Sequence, residues 1–280
     1  YYGELMLRRA SLWTDEKALK RFSDIINSVE NSQGSHLMSA EESSIVAPFL
    51  DGEEHVQRTN LSNTSVSYYY KGEVIAIVLD LLLRGRTKGH VSLDDVMRRA
   101  YRELYQESPN ATYYLRGRGY TSEDFERVTS EAARADMSDF FKRYVRGVEM
   151  LPYDEALRSV GLRLVREPSR NPTVGVLSDF NEPQAMKIRS VREDSPAEEA
   201  GLEQGDIILA VGNRTVTRDT FVPTITDYKP NDRVTLTIKR DRNTIRKTIT
   251  LGQPSYTYRI EELKDATPEM RALRAAWLNG

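Results

Sequence analysis

The sequence predicts a multidomain protein of the α and α+β classes: an all-α helical bundle over residues 1–165, a small β-rich domain over 168–255, and an extension over 256–280 that ends in a helix. Three observations carry this. Apolar residues recur at spacings of three and four through the first half. Short segments that alternate with period two take over after Gly161. Pro168, Asn171 and Pro172 punctuate the change and put the boundary near 162–170.

In the first half, residues 5–10 lie on a helix, and Thr14 is placed to cap a second helix running to Val29. Residues 31–64, rich in Ser, Asn, Gly and Glu, lack sustained periodicity and read as a long loop of the kind that lines functional sites. Residues 72–84 are apolar nearly all round, which suits a helix at the centre of a bundle, and Gly85 and Gly89 are expected to break it. The apolar run 74–83 is too short to span a bilayer and contains Asp80, so no transmembrane segment is expected. Ser92 and Asp95 resemble a capping box, opening a helix with Leu93, Val96, Met97, Ala100, Tyr101 and Leu104 on its apolar stripe. A further helix is predicted from Thr121 to just before Gly147, then a short one with Pro152 in its first turn and Gly161 as its C-cap. Nothing in this half alternates like a strand. In the second half, 234–238 and 248–251 alternate, with Asp241-Arg242-Asn243 as the turn between them.

The composition narrows the function classes. Hydrophobic residues at 39% and charged ones at 29%, over 280 residues, fit two ordinary globular cores. A net charge of −2 with no basic patch argues against nucleic acid as a partner. The absence of cysteine excludes disulfides and thiolate metal sites, and is neutral between cytosol and periplasm. The chain starts at Tyr1, with an amphipathic pattern already running at Leu5, Met6 and Leu7, as in a fragment or a processed product.

The most specific pattern is Ser195-Pro196-Ala197, Ala200-Gly201-Leu202, Gly205-Asp206-Ile207-Ile208 and Val211-Gly212-Asn213. Pro196 and Ala197 start a short helix that Gly201 ends, Gly205-Asp206 turns into a strand, and Gly212-Asn213 makes a tight turn. This run resembles the bacterial PDZ family, which implies a PDZ β-barrel/sandwich domain. By that resemblance the ligand loop is Thr173-Val174-Gly175-Val176, whose N–H groups would receive a peptide carboxylate while the next strand edge pairs with the peptide. The second groove wall would be a helix over 219–228 presenting Phe221, Thr224 and Ile225, its register left open by Pro223. A PDZ domain appended to an enzyme can instead pack against that enzyme.

Tyr68-Tyr69-Tyr70-Lys71-Gly72 precedes the apolar helix. Its Tyr-x-Lys-Gly spacing resembles zinc aminopeptidases of the gluzincin type, whose motif tyrosine falls on Tyr69. A phenol donates a hydrogen bond to an oxyanion without first losing its proton. The order of Tyr1-Tyr2-Gly3-Glu4-Leu5, Glu41-Glu42-Ser43-Ser44, Val66-Ser67-Tyr68-Tyr69, Leu79-Asp80-Leu81, the segment 92–98 and Gly119-Tyr120-Thr121 extends the likeness. Together with the PDZ domain and the terminal helix at 267–278, these segments resemble the glycyl aminopeptidase family of zinc metallopeptidases over essentially the whole chain. The resemblance implies that residues 1–165 are the helical C-terminal part of a thermolysin-like catalytic domain.

That family holds zinc with a His-Glu-x-x-His helix and a downstream glutamate. The histidines here, His36, His55 and His90, form no such motif and read as solvated surface residues. The resemblance places the metal ligands before the segment matching Tyr1-Tyr2. Zinc is therefore expected in a full-length parent, no cofactor and no metal ligand in this chain, and the chain alone is expected to be inactive. Asp94-Asp95 is explained by a helix start, whereas Glu41-Glu42 has the chance to line a cleft. Gly85-Arg86-Thr87-Lys88-Gly89 lacks the spacing of a phosphate loop, and no Ser-His-Asp set is present.

The expected function is the C-terminal part of a zinc aminopeptidase. It would supply Tyr69 and a peptide-binding PDZ domain, with the missing N-terminal catalytic part and a peptide substrate or peptide C-terminus as partners. By resemblance, substrates would have a small N-terminal residue. The alternative is a non-catalytic PDZ adaptor.

Overall fold

A computed structural model of the chain describes residues 1–50, 61–107, 120–168, 171–179, 182, 184–253 and 256–280. His55, Gly119 and the expected PDZ end at Ser255 lie outside the described residues.

The first half is helical, as its periodicity requires: α1 (Tyr2–Arg9), α2 (Asp15–Glu30), α3 (Ala40–Leu50), α4 (Leu61–Thr64), α5 (Tyr68–Arg86), α6 (Leu93–Tyr101), α7 (Ser122–Ala133), α8 (Ser138–Phe140) and α9 (Tyr153–Ser159). Side-chain caps set several starts. Thr14 accepts from the Lys17 N–H at 3.2 Å, and Ser92 and Asp95 cap α6, the Ser92 N–H donating to Asp95 Oδ2 at 2.8 Å.

The structure corrects four expectations here. The region read as a long loop contains α3, opened by a reciprocal cap: the Ser39 N–H donates to Glu42 Oε2 at 2.8 Å and the Glu42 N–H to Ser39 Oγ at 3.1 Å. Helix α5 is not broken by Gly85 but continues to Arg86; the glycine lets Ser159 pack close, since a Cβ at residue 85 would meet the Ser159 Cβ at 2.6 Å. Tyr68 to Gly72 do not precede this helix; they form its first turn, after the N-cap Ser67. The single helix expected after Thr121 is two, since Arg134 takes a left-handed conformation (φ 51°) that ends α7.

The second half adds β1 (Leu162–Pro168), β2 (Val176–Ser178), β3 (Met186–Val191), α10 (Pro196–Glu199), β4 (Ile207–Val211), β5 (Arg214–Thr215), α11 (Arg218–Thr226), β6 (Arg233–Arg240), β7 (Asn243–Thr250), β8 (Tyr256–Glu262) and α12 (Pro268–Asn279). A six-stranded sheet runs β2-β3-β4-β6-β7, with β5 on β4. Val234, Leu236 and Ile238 point inward, as their alternation predicts, onto a core with Val174, Ile188, Ile208 and Phe221. The overall class is multidomain α and α+β.

The helical core also takes in residues of two strands and of the last helix. Strand β1, entering the second domain, pairs antiparallel with β8, leaving it, from Leu162↔Glu262 to Pro168↔Tyr256. Leu162, Leu164, Tyr258 and Ile260 belong to the helical core, as do Trp277 and Leu278 of α12. The outer edge of β8 is covered by side chains of α2 and of its C-cap, Asn31. The Ile260 N–H donates to Ser23 Oγ at 3.0 Å, the Tyr258 N–H to Asn27 Oδ1 at 2.8 Å, Asn27 Nδ2 to the Tyr258 carbonyl at 2.6 Å, and Asn31 Nδ2 to the Tyr256 carbonyl at 2.9 Å. Four helical residues advance about 6 Å and two strand residues about 6.7 Å, so every fourth side chain of α2 meets every second residue of β8. A strand edge that would otherwise be open is thereby satisfied.

Helix α5 runs through the helical core with Asp80 (1% exposed) and Arg84 buried in its middle. Asp80 Oδ1 accepts from Arg84 Nε at 3.0 Å and from the Leu93 N–H at 2.8 Å, while Oδ2 accepts from the Tyr1 hydroxyl. Trp277 Nε1 donates to Tyr1 Oη at 3.0 Å, and Arg84 Nη1 to the Ala276 carbonyl at 3.3 Å. One carboxylate thus joins α5 to α1, α6 and α12. Removing one partner of a buried ion pair strands the other charge. Asp80→Ala is expected to destabilise the helical half by about 3–5 kcal/mol in urea unfolding; a loss below about 1 kcal/mol would contradict this arrangement.

Candidate functional site

Tyr69 stands in the first turn of α5, 67% exposed, its ring 4.2 Å from that of Tyr68. Two residues on, Lys71 is buried and its Nζ donates to the carbonyls of Ser35 (2.7 Å) and Met38 (2.9 Å). Burial pushes its pKa down, against the pull of Glu30 and Glu42. The lysine of the Tyr-x-Lys-Gly motif therefore fastens the turn before α3 to α5. The next residue, Gly72, has nothing within 4 Å of where a Cβ would sit, because it opens onto a cavity.

This cavity has a volume of about 490 Å³. Tyr68, Gly72, Ile75 and Leu79 line it from one face of α5, spaced four, three and four apart as helix geometry requires. Phe125 and Phe141 close the far side. Two carboxylates, Glu41 and Glu73, also line it. The pair Glu41-Glu42 is thereby divided: Glu42 caps α3, held below the usual carboxylate range by its bonds to Ser39, while Glu41 lines the cleft. Tyr69 is not a lining residue but follows one that is.

Glu73 was not singled out from the sequence, where it is one polar position in an apolar helix. It is 8% exposed, and its Oε1 has no hydrogen-bond partner. Its Oε2 lies 4.0 Å from Arg21 Nη2, and Arg21 is shared with Glu4 (Nε to Oε1, 3.2 Å). Burial raises the pKa of this carboxyl; the charge of Glu4 adds to that, and the Tyr1 amino group and Arg21 oppose it.

In the second domain, Thr173 to Val176 form a loop pinned from below. The Ala197 N–H donates to the Val174 carbonyl at 2.9 Å and the Arg192 N–H to the Gly175 carbonyl at 2.8 Å. Gly175 has φ +86°, and a Cβ there would meet Ser195 Cβ at 2.3 Å, so only glycine fits. Strand β2 follows at the end of the strand order, facing α11 across a groove of about 120 Å³. The structure places Thr173, Val174, Gly175, Val176, Phe221 and Ile225 on this groove, with Val222 and Thr226 in addition. Thr224 is buried away from it, its carbonyl accepting from Arg214 Nη2 at 3.2 Å. Pro223 sits inside α11, which runs from Arg218 to Thr226 rather than over 219–228.

A glycine-turned loop, an edge strand and a facing helix define a peptide-binding domain of the PDZ class. Residues 160–251 match the family model of the PDZ domain. Residues 1–75, which include Tyr69, Lys71 and Gly72, match that of the M61 glycyl aminopeptidase. Two separate stretches of the chain thus match the M61 glycyl aminopeptidase model and the PDZ model. A crystal structure of an aminopeptidase N family protein from Idiomarina loihiensis shares its fold, with a TM-score of 0.82 at 24% identity over 100% of this chain and 47% of that one. The chain therefore spans about half the length of that protein. Slighter likenesses, both with TM-scores of 0.27, are to a serine endoprotease from Yersinia pestis (24% identity; 31% of this chain, 30% of that) and to the HtrA-type protease AlgW with a decapeptide (18%; 31% and 30%). No curated protein matches the chain.

Among the described residues, no group of three or more His, Cys, Asp or Glu side chains is placed to hold a metal ion. No helix among them is long and apolar enough to cross a membrane.

The shift at Glu73 has a consequence for stability. A carboxyl whose folded pKa is raised binds its proton more tightly in the native state, so it costs stability as pH rises above about 4.5. Glu73→Gln is expected to raise the melting temperature at pH 7.5 and to change it less at pH 4. Equal effects at both pH values would show that Glu73 ionises freely in the fold.

Proposed function

We propose that this chain forms the substrate-facing helical side of an aminopeptidase active site and carries a PDZ domain that takes peptide carboxyl termini. The observation that supports this best is Tyr69. It lies within the segment matching the M61 glycyl aminopeptidase model, and its phenol is presented to solvent at the first turn of a buried helix, beside an apolar cavity. Its role is to donate a hydrogen bond to the oxygen that becomes negative when the scissile carbonyl turns tetrahedral. Such a donor contributes most when it is preorganised, and the Lys71 and Ser67 contacts hold this turn in place. The metal and the base that activates water would come from polypeptide outside these 280 residues.

In the full-length protein, Tyr69→Phe is expected to lower kcat for an aminoacyl-p-nitroanilide by roughly 10²–10³-fold, the cost of one oxyanion donor, with metal content unchanged. Unchanged turnover would remove Tyr69 from the mechanism. Absence of any peptidase activity in the full-length protein would favour a binding role for the whole molecule.

The PDZ part has its own test. A decapeptide with a free apolar C-terminus is expected to bind this chain at least about tenfold more tightly than its C-terminal amide, the worth of a charge-assisted contact to backbone N–H groups. Equal affinity would remove the loop at Thr173 to Val176 as the carboxylate receiver.

A further inference from the structure

The turn that presents Tyr69 is tied to the PDZ loop by a continuous line of hydrogen bonds and peptide units. Asn63, in α4, lies six residues before Tyr69 and is 3% exposed. Its Nδ2 donates to the Val191 carbonyl at 2.9 Å. That carbonyl and the Arg192 N–H belong to one peptide unit, and the Arg192 N–H donates to the Gly175 carbonyl at 2.8 Å. The Gly175 carbonyl in turn shares a peptide unit with the Val176 N–H. This bond flanks the Val176↔Val191 pair, which is therefore of the non-hydrogen-bonded kind. Its polar groups point apart, the Val191 carbonyl to Asn63 and the Val176 N–H to the edge of β2 that ends the strand order. An acceptor placed on the Val176 N–H polarises two peptide units in line with the Asn63 amide, and bonds in such a line strengthen one another.

From Asn63 the chain runs directly into the first turn of α5. Ser65 lies so close to Gly34 that a Cβ on the glycine would meet the Ser65 carbonyl oxygen at 1.9 Å, and the Val66 carbonyl accepts from the Ser43 hydroxyl. Ser67 is the N-cap of α5, and its carbonyl accepts from the Lys71 N–H at 2.9 Å. Helix α4 has four residues, too few to hold itself, so the order of the connector 63–67 depends on its tertiary contacts. We propose that a peptide seated in the PDZ groove, accepting from the Val176 N–H, tightens this line and orders the connector, so that groove occupancy regulates how firmly Tyr69 is presented. This rests on the peptidase and PDZ readings above. Asn63 acts through the cap of α5 and is a positioning residue. The coupling is reciprocal: the connector supports peptide affinity by the factor with which the peptide supports the connector.

The first arm of the test uses the unaltered 280-residue chain and needs no turnover. A saturating N-acetylated decapeptide with a free apolar C-terminus is expected to slow amide hydrogen exchange over 63–71 by at least about fivefold. Asn63→Ala should lose that slowing and bind the decapeptide about fivefold more weakly. Asn63→Asp, which keeps the shape but removes the donor, should behave alike, with circular dichroism and melting confirming that each variant is folded. In the full-length protein the decapeptide should raise kcat for the aminoacyl-p-nitroanilide, and should fail to do so in Asn63→Ala. Bound decapeptide with unchanged exchange over 63–71, or equal slowing in Asn63→Ala, would overturn the coupling and leave the PDZ reading standing. An unchanged kcat in a protein that Tyr69→Phe cripples would overturn it too. No binding of the decapeptide would overturn both the coupling and the PDZ reading. Slowed exchange combined with a harmless Tyr69→Phe would keep the coupling and sink only the peptidase reading.

Discussion

The helical half depends on one buried carboxylate. Helix α5 is apolar nearly all round, so burial alone fixes its depth but not its rotation or its axial position. Asp80 fixes both. It collects the Arg84 guanidinium, the first-turn N–H of α6 at Leu93 and the Tyr1 hydroxyl, and through Tyr1 it reaches Trp277 of the last helix. Burial and the adjacent carboxylate push the Tyr1 phenol well above its ordinary pKa, so it stays a donor. A buried charge tolerates few alternative packings, because any that unpairs it is expensive. With α5 held this way, Tyr69 faces outward while Tyr68, Gly72 and Glu73 face the cavity.

The two halves are joined by more than a linker. The strands entering and leaving the PDZ domain pair with each other, and α2 seals the outer strand with Ser23, Asn27 and Asn31. A separate bond runs from Asn63 Nδ2 to the carbonyl of Val191 at 2.9 Å, and Val191 pairs with Val176, which lines the groove facing α11. The PDZ domain is thus tied to the helical half both through the β1–β8 pair and through Asn63.

Local signals were legible in the sequence, and non-local ones were not. The caps at Thr14, Ser92 and Thr121 and the alternation of β6 rest on neighbours within a few residues. The loop at Gly175 and the groove it builds with Phe221 and Ile225 are not local in this sense, and the sequence pointed to them only through the resemblance to the PDZ family. Helix α3 was hidden by polar composition and by Pro48, although Ser39 and Glu42 have capping-box spacing. The need for glycine at position 85 comes from Ser159, far along the chain, and the β1–β8 pair from residues at the far end of the chain. Glu73 was invisible for a similar reason: its lack of a partner is a property of the fold around it, not of its neighbours in sequence.

Asp80 holds α6 against α5, and the amide of Leu93 reports on that contact directly. First-turn helix N–H groups have no partner within their own helix and ordinarily exchange with solvent by local fraying. Because the Leu93 N–H donates to the buried Asp80 carboxylate, native-state hydrogen exchange should find it protected to the level of global unfolding of the helical half. Exchange at the rate of the exposed first turn of α7 would contradict the arrangement on which the site is built.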